Sequence, residues 1–296
     1  MTGLAAALPL RRLRGAVRQN PLVSVAAALL AGFGAVLVLH PVLMPYGPLV
    51  SDAAQAGTGP GLRHPLGTDF DGLDVLSRVM HGTRYAVLVP LAAMAVALGL
   101  GIPAGLLAGL RGGWFDRLLR RMAQAVGMIP GLLLALALVA AMGRGYLQVA
   151  IAVGVLDALL FARRLRAEVW ELREQGFVEA QVAAGNPPWR LVALHLVPNT
   201  LPWLLAELPR RLAVALGVLS VAGYLGLAGA PNSSEWGAMV RRGAEDMLGG
   251  QWWASLFPGL AITLLGFAWL LLGAGLADLR RDRATGAGER ILGVDG

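Results

Sequence analysis

Six apolar runs, at 21–39, 85–110, 122–142, 146–162, 201–227 and 256–276, constrain this 296-residue chain more than any other feature. Apart from the fourth, which is short, each has the length needed to cross about 30 Å of hydrocarbon, where no water satisfies backbone N–H and C=O groups, so each must close its hydrogen bonds internally as a helix. Charged residues make up only 15% of the chain, against roughly 25% in soluble domains. The expected fold class is therefore an all-α membrane protein with six transmembrane helices. Glu207, Arg210 and Arg211 interrupt the start of the fifth run. The first run follows Arg11, Arg12, Arg14 and Arg18, a pattern shared with cleaved signal peptides. Its length, and the lack of a small-x-small site directly after it, predict an uncleaved span.

Arginine orients the spans. All 25 basic residues are arginine, and with the N-terminus inside, seventeen fall in cytoplasmic segments, among them Arg111, Arg117, Arg120, Arg121, Arg163, Arg164, Arg166, Arg173, Arg190, Arg280, Arg281, Arg283 and Arg290. Six fall outside: Arg63, Arg78, Arg84, Arg144, Arg241 and Arg242. The positive-inside rule then predicts a cytoplasmic tail over 1–20, a transmembrane domain over 21–280 and a cytoplasmic tail over 281–296. It also places the loop 163–199 in the cytoplasm and the segments 40–84 and 229–255 outside. The net charge of +7 thus serves topology and does not point to nucleic acid.

The missing residues exclude chemistry. A phosphate-cradling GxxxxGK[ST] loop needs a lysine, and there is none, so energy from ATP has to come from a partner. The absence of cysteine excludes disulfides, thiolate metal sites and cysteine nucleophiles. His40, His64, His81 and His195 are scattered, and neither HExxH nor GxSxG occurs, so a membrane-embedded enzyme lacks convergent groups. An ion-driven secondary transporter, the other competing class, usually carries an internal repeat, and none is visible.

The cytoplasmic stretch 177–199, FVEAQVAAGNPPWRLVALHLVPN, reads as a short helix with Glu179 near its N-terminus. Gly185 stops it, Asn186, Pro187 and Pro188 form a tip, and a second helix leads to His195. Gly-Pro punctuation also marks ordinary loops. The preceding RRLRAEVWELREQ sets Leu165, Val169 and Leu172 at i, i+4, i+7, an amphipathic extension of the fourth span. Outside, Asp69, Asp71 and Asp74 precede a helix expected from Val75 and read as caps; their spacing fails the calcium-loop pattern. Trp236, Trp252 and Trp253 suit a membrane interface. At bilayer depth, Glu207 can pair with Arg210 or Arg211 at i+3 and i+4. Asp157 has no local partner, and either lines a translocation path or reaches Arg211 across helices.

Four blocks carry a family resemblance over about residues 20–280. Glu179-Ala180, Gly185 and the His195-Leu196-Val197-Pro198-Asn199 end resemble the EAA signature, the cytoplasmic coupling loop of permease subunits in binding-protein-dependent ABC importers. HPLGTDFDGLDVLSR resembles the external LGTD-x-x-G-R-D-x-x-S-R motif, with Gly67, Asp69, Gly72, Asp74 and Arg78 in place. GLLAGLRGGWFDRLLRRMAQAVGMIPGLLLALALV resembles the block joining the second and third spans, and EWGAMVRRG with WWASLFPGLAI, containing Trp236, resembles the C-terminal region. The branch it resembles is the dipeptide, oligopeptide and nickel one, and within it the C-type subunit. The resemblance implies the type I importer arrangement of six helices plus a coupling helix, in the inner or plasma membrane of a prokaryote. It also implies two ATPase subunits holding ATP and Mg, a second non-identical permease, and an external substrate-binding protein, with no cofactor, catalytic group or metal on this chain. The implied coupling residues are Glu179, Ala180, Gly185, Asn186, Pro187, Pro188, His195 and Pro198. Asp157, Arg211 and Tyr224 are the expected path residues, and the cargo is a small peptide or, alternatively, nickel or a metal chelate. Gln181, the Asn-Pro-Pro tip, Leu73, Leu219 and Asp157 depart from the family pattern.

Overall fold

The computed structural model of the chain describes residues 20–173, 197–230 and 232–292. Its helices are α1 (Pro21–Leu43), α2 (Val75–Arg111), α3 (Gly113–Gly127), α4 (Gly131–Met142), α5 (Tyr146–Arg173), α6 (Val197–Tyr224), α7 (Trp236–Asp246) and α8 (Trp253–Leu292). Local chemistry sets several ends. Asn20 accepts from the Leu22 N–H at 2.9 Å and Pro21 opens α1, where a missing N–H costs nothing. Asp74 caps α2 by accepting from the Ser77 N–H at 2.8 Å, as the sequence predicts.

The most extensive helix pairing is α2 with α5, and glycine makes it possible. A Cβ added at Gly101 would lie 2.8 Å from the Ala158 carbonyl oxygen, one at Gly105 2.8 Å from that of Ala162, and one at Gly109 2.6 Å from Val169 Cγ1. Gly154 of α5 is reciprocally close to the Ala93 carbonyl, at 2.7 Å. Where lipid is as apolar as leucine, such backbone approach supplies the dispersion contact that holds helices together. A similar approach joins α1 to α8, where a Cβ at Gly275 would sit 2.4 Å from Val23 Cγ2.

The single span expected over 122–142 is corrected. The chain there is divided into α3 and α4, which meet at 99°. Pro130 lies at the break, and a proline pushes the residue before it out of the α region. With 12 residues, α4 is about 18 Å long and too short to cross alone. The other half, α3, is amphipathic. Its Asp116 is buried and receives Arg166 of α5 at 2.6 and 3.0 Å, with Arg120 at 3.2 Å. By length and composition, α1, α2, α5 and α8 can each cross a membrane, and the bent α3–α4 pair is a fifth candidate. Although α6 has 28 residues, three of its positions are the charged Glu207, Arg210 and Arg211. The amphipathic extension of the fourth span is continuous with it in α5, and Leu165 and Val169 are buried against Ile102, Leu106 and Leu110 of α2.

At one end of the bundle the loop 44–74 folds onto α7 and the starts of α2 and α8. The interfacial placement of Trp236 is corrected here. It is 1% exposed, packs with Val75, Ala86, Leu216 and Leu265, and donates its indole N–H to the Val79 carbonyl at 2.9 Å. A buried indole needs such an acceptor, and the first turns of α2 supply it. Trp253 likewise donates to the Thr68 carbonyl at 2.9 Å, whereas Trp252 is half exposed.

Candidate functional site

The loop-rich end gathers every residue of the LGTD-type motif. Gly67 and Gly72 have φ of 77° and 75°, and a Cβ at Gly72 would meet the Asp52 carbonyl oxygen at 2.1 Å. Both positions require glycine. Asp69 accepts from the Leu73 and Asp71 N–H groups at 2.8 and 3.1 Å and pairs with Arg78 at 2.5 Å. The Arg78 guanidinium also donates to the Ser233 carbonyl at 3.0 Å, tying α2 to the segment before α7. Asp74 has a second role unseen in the sequence: its Oδ1 lies 2.8 Å from His64 Nδ1. Asp71 pairs with Arg242 of α7. Leu73, in the place of the motif arginine, is buried. Among the described residues no three His, Asp or Glu side chains gather to hold a metal ion.

Glu235 caps α7, accepting from the Gly237 and Ala238 N–H groups at 2.9 and 2.8 Å. A carboxylate at a helix N-terminus is ordinarily stabilised, but burial outweighs those bonds and pushes the Glu235 carboxyl up to about 7. A raised acid favours the protonated folded state. As pH climbs from the ordinary value of 4.5 toward about 7, the unfolded chain ionises first and stability falls, by roughly 3 kcal/mol across the window. The melting temperature of the purified protein is expected to decrease between pH 5 and 7.5. The slope should flatten in Glu235→Gln, as followed by tryptophan fluorescence.

Deeper in the bundle, α3, α4, α5 and α6 line a cavity of ≈ 580 Å³ that is open on the side where Ile129, Leu132 and Val214 are exposed. Most of its lining is apolar (Ile129, Leu132, Val153, Leu156, Leu160, Val214, Val218, Val221), and the charged groups on it are Asp157 and Arg211. These two lie 54 residues apart in sequence and meet at 3.2 Å (Arg211 Nη1 to Asp157 Oδ1). Arg211 Nε also donates to Glu207 at 2.9 Å, and Arg210 is 3.7 Å from the same carboxylate. Both local pairings and the cross-helix one therefore coexist. Asp157 is 5% exposed, and in so dry a place an unpaired carboxylate would cost several kcal/mol. The Arg211 pairing offsets part of that cost. Arg211 and Leu160 also line a second cavity of ≈ 660 Å³, a polar one with Arg120, Arg163, Arg164, Arg166 and Glu207 on its wall.

Of the other expected path residues, Tyr224 ends α6 at the loop-rich end, 44% exposed, and does not line the apolar cavity. Glu179, Ala180, Gly185, Asn186, Pro187, Pro188 and His195 lie outside the described residues, and Pro198 falls in the first turn of α6. Sequence reasoning missed Gly127, Gly131 and Gly217, which line the apolar cavity. Gly217, a glycine inside an apolar run with no turn to make, carried a signal that could have found it; Gly127 and Gly131 flank the α3–α4 break.

Residues 101–281 match the family described as "Binding-protein-dependent transport system inner membrane component". The chain belongs to this family. It is similar to the probable D,D-dipeptide transport system permease protein DdpC of Escherichia coli (strain K12), with 30% identity over 270 residues covering 91% of this chain and 90% of the relative. It is 34% identical over 237 residues to the glutathione transport system permease protein GsiD of Pectobacterium atrosepticum, covering 80% and 78%. Another glutathione transport system permease protein GsiD, that of Escherichia coli O6:K15:H31, is 34% identical over 235 residues, covering 79% and 77%. The binding-protein-dependent permease is thus a multi-pass inner-membrane subunit of an ABC importer in the peptide and nickel branch. It is a transport subunit and not an enzyme, and the family itself binds no cofactor.

Proposed function

We propose that this permease subunit forms half of the translocation path for a small peptide or peptide-like solute. The observation that carries the reading is the Asp157–Arg211 pair set into the apolar cavity between α4, α5 and α6. Charge at that depth costs about 2.5–3.5 kcal/mol on insertion scales and is retained where solute or ion passes. The relatives' names, dipeptide and glutathione systems, favour a peptide over nickel or a metal chelate. The arginine distribution puts both termini and 163–199 in the cytoplasm.

In this reading the chain is the C-type subunit beside a different permease. Two ATPase subunits, which hold ATP and Mg, grip the 177–199 finger through Glu179, Ala180, Gly185, the Asn186-Pro187-Pro188 tip, His195 and Pro198. An external binding protein docks where Gly67, Asp69, Gly72, Asp74, Arg78 and Trp236 organise the loop-rich end. Closure of the ATPases pushes the finger, and the helices switch between two packings.

The test is Gly185→Asp. A side chain there penalises the left-handed turn at the finger's bend, and uptake in membrane vesicles is expected to fall by about 5–150-fold, the usual range of a lost coupling between sites. The ATPase subunits should also no longer co-purify with the tagged chain. Normal uptake by the variant would remove the finger from the coupling path.

A further inference from the structure

The charged groups of the apolar cavity are left with one open donor and one open acceptor. Arg211 uses Nε on Glu207 and Nη1 on Asp157, and its Nη2 has no hydrogen-bond partner among the described residues. Asp157 uses Oδ1 on Arg211, and its Oδ2 is buried with no partner. A buried polar atom left bare is costly and needs an explanation. Asp157 Oδ2 is such an atom, and it belongs to a carboxylate paired with the partly exposed Arg211 on the wall of a cavity whose ≈ 580 Å³ is the size of a small-molecule site.

A solute that fills both has to bring an acceptor for Arg211 and a donor for Asp157. An anion alone would leave Asp157 bare and add a second negative group beside it and Glu207; a cation alone would face Arg211. A zwitterion, with a carboxylate on Arg211 and an ammonium on Asp157, adds no net charge and completes both residues. We propose that Asp157 and Arg211 recognise the free amino and carboxylate ends of a short zwitterionic peptide on its way through the bundle, making the pair a specificity determinant within the permease itself. The apolar remainder of the lining accepts side chains without selecting among them, since no other charged side chain faces the solute there.

Arg211 also reaches the polar cavity lined by Arg120, Arg163 and Arg164. A carboxylate released from Arg211 therefore meets further guanidinium groups on that side. The two cavities share Leu160 and Arg211, so the pair stands where solute would leave one for the other.

This inference rests on the peptide reading above, and its test separates the two. The complete transporter in lipid nanodiscs, without binding protein, is mixed with Ala-Ala, N-acetyl-Ala-Ala or Ala-Ala-amide, and saturation-transfer NMR reports contact with each. Ala-Ala is expected to give the strongest transfer. Asp157→Asn should lower that signal at least about tenfold, as for truncation of one partner in a buried charge pair, and leave N-acetyl-Ala-Ala unchanged. Arg211→Gln should do the same for Ala-Ala and leave Ala-Ala-amide unchanged. Equal transfer from all three probes, or equal loss of all three in a variant whose melting temperature has dropped, would mean that the pair is structural and overturn the inference. In parallel, vesicle uptake of Ala-Ala delivered by the binding protein tests the peptide reading. Uptake by the wild type with no discrimination in the NMR would sink the zwitterion site alone, and no uptake of any peptide would sink both.

Discussion

Leucine in place of Gly105 is expected to prevent the bundle from assembling. The added Cβ alone would lie 2.8 Å from the Ala162 carbonyl oxygen and 3.0 Å from Ala162 Cα, and neither neighbour is the far end of a flexible side chain. The helix backbones must separate, and with them the flanking contacts at Gly101 and Gly109. Overpacking a core commonly costs about 1–3 kcal/mol; prying apart a seam that runs along two whole helices exceeds that range. The measurement is the yield of monodisperse protein in detergent and its melting curve followed by tryptophan fluorescence. Wild-type yield and melting would show that the bundle does not depend on the close approach of α2 and α5 at these glycines.

The same substitution at Gly217 should have the opposite signature. A Cβ there meets nothing within 4 Å, because the residue faces the apolar cavity. Leucine in mid-helix is also favoured over glycine by about 1 kcal/mol. Gly217→Leu is therefore expected to fold and melt at or above the wild-type temperature, while its side chain occupies the cavity proposed above as the translocation path. Vesicle uptake should fall by about tenfold or more, equivalent to roughly 1.4 kcal/mol on the transport barrier. Gly217→Ala, which fills little of the cavity, should retain most of the uptake. If Gly217→Leu transported normally, the cavity between α4, α5 and α6 would not be the path.

The division of what the sequence shows and hides follows from the range of the interactions. Local ones were legible: Asp74 as a cap, Glu207 with both following arginines, and the run of Leu165 and Val169 that continues α5 past its apolar part. The break at Pro130 was present as a proline within an apolar run, but hydropathy averages over such a residue and joined α3's end to α4. Trp236 misled because tryptophan ahead of a polar helix looks the same whether lipid or the folded loop 44–74 covers it, and burial there depends on contacts from Phe33 and Val75. Asp157 and Arg211 stood out as charges at depth. Their meeting was one of two readings, since periodicity within a helix says nothing about the partner helix. The α2–α5 seam was written as glycines at every fourth position, yet in a run that is apolar on all sides no face announces itself.

With 37 residues, α2 is a rod about 55 Å long, and both of its ends are clamped. Near one end Arg78 and Val79 hold the segment before α7 and Trp236; toward the other, Gly105 and Gly109 lie against α5, which continues to Arg173. The loop-rich platform, α2 and α5 therefore form a lever, with Pro90 and Pro103 interrupting the α2 hydrogen-bond ladder between the clamps as the points where it can bend. A tilt of about 5° imposed at one end displaces the other by about 5 Å, close to one helical turn. Movement at one end can in this way reach the other, to the extent that the helix stays stiff through Pro90 and Pro103.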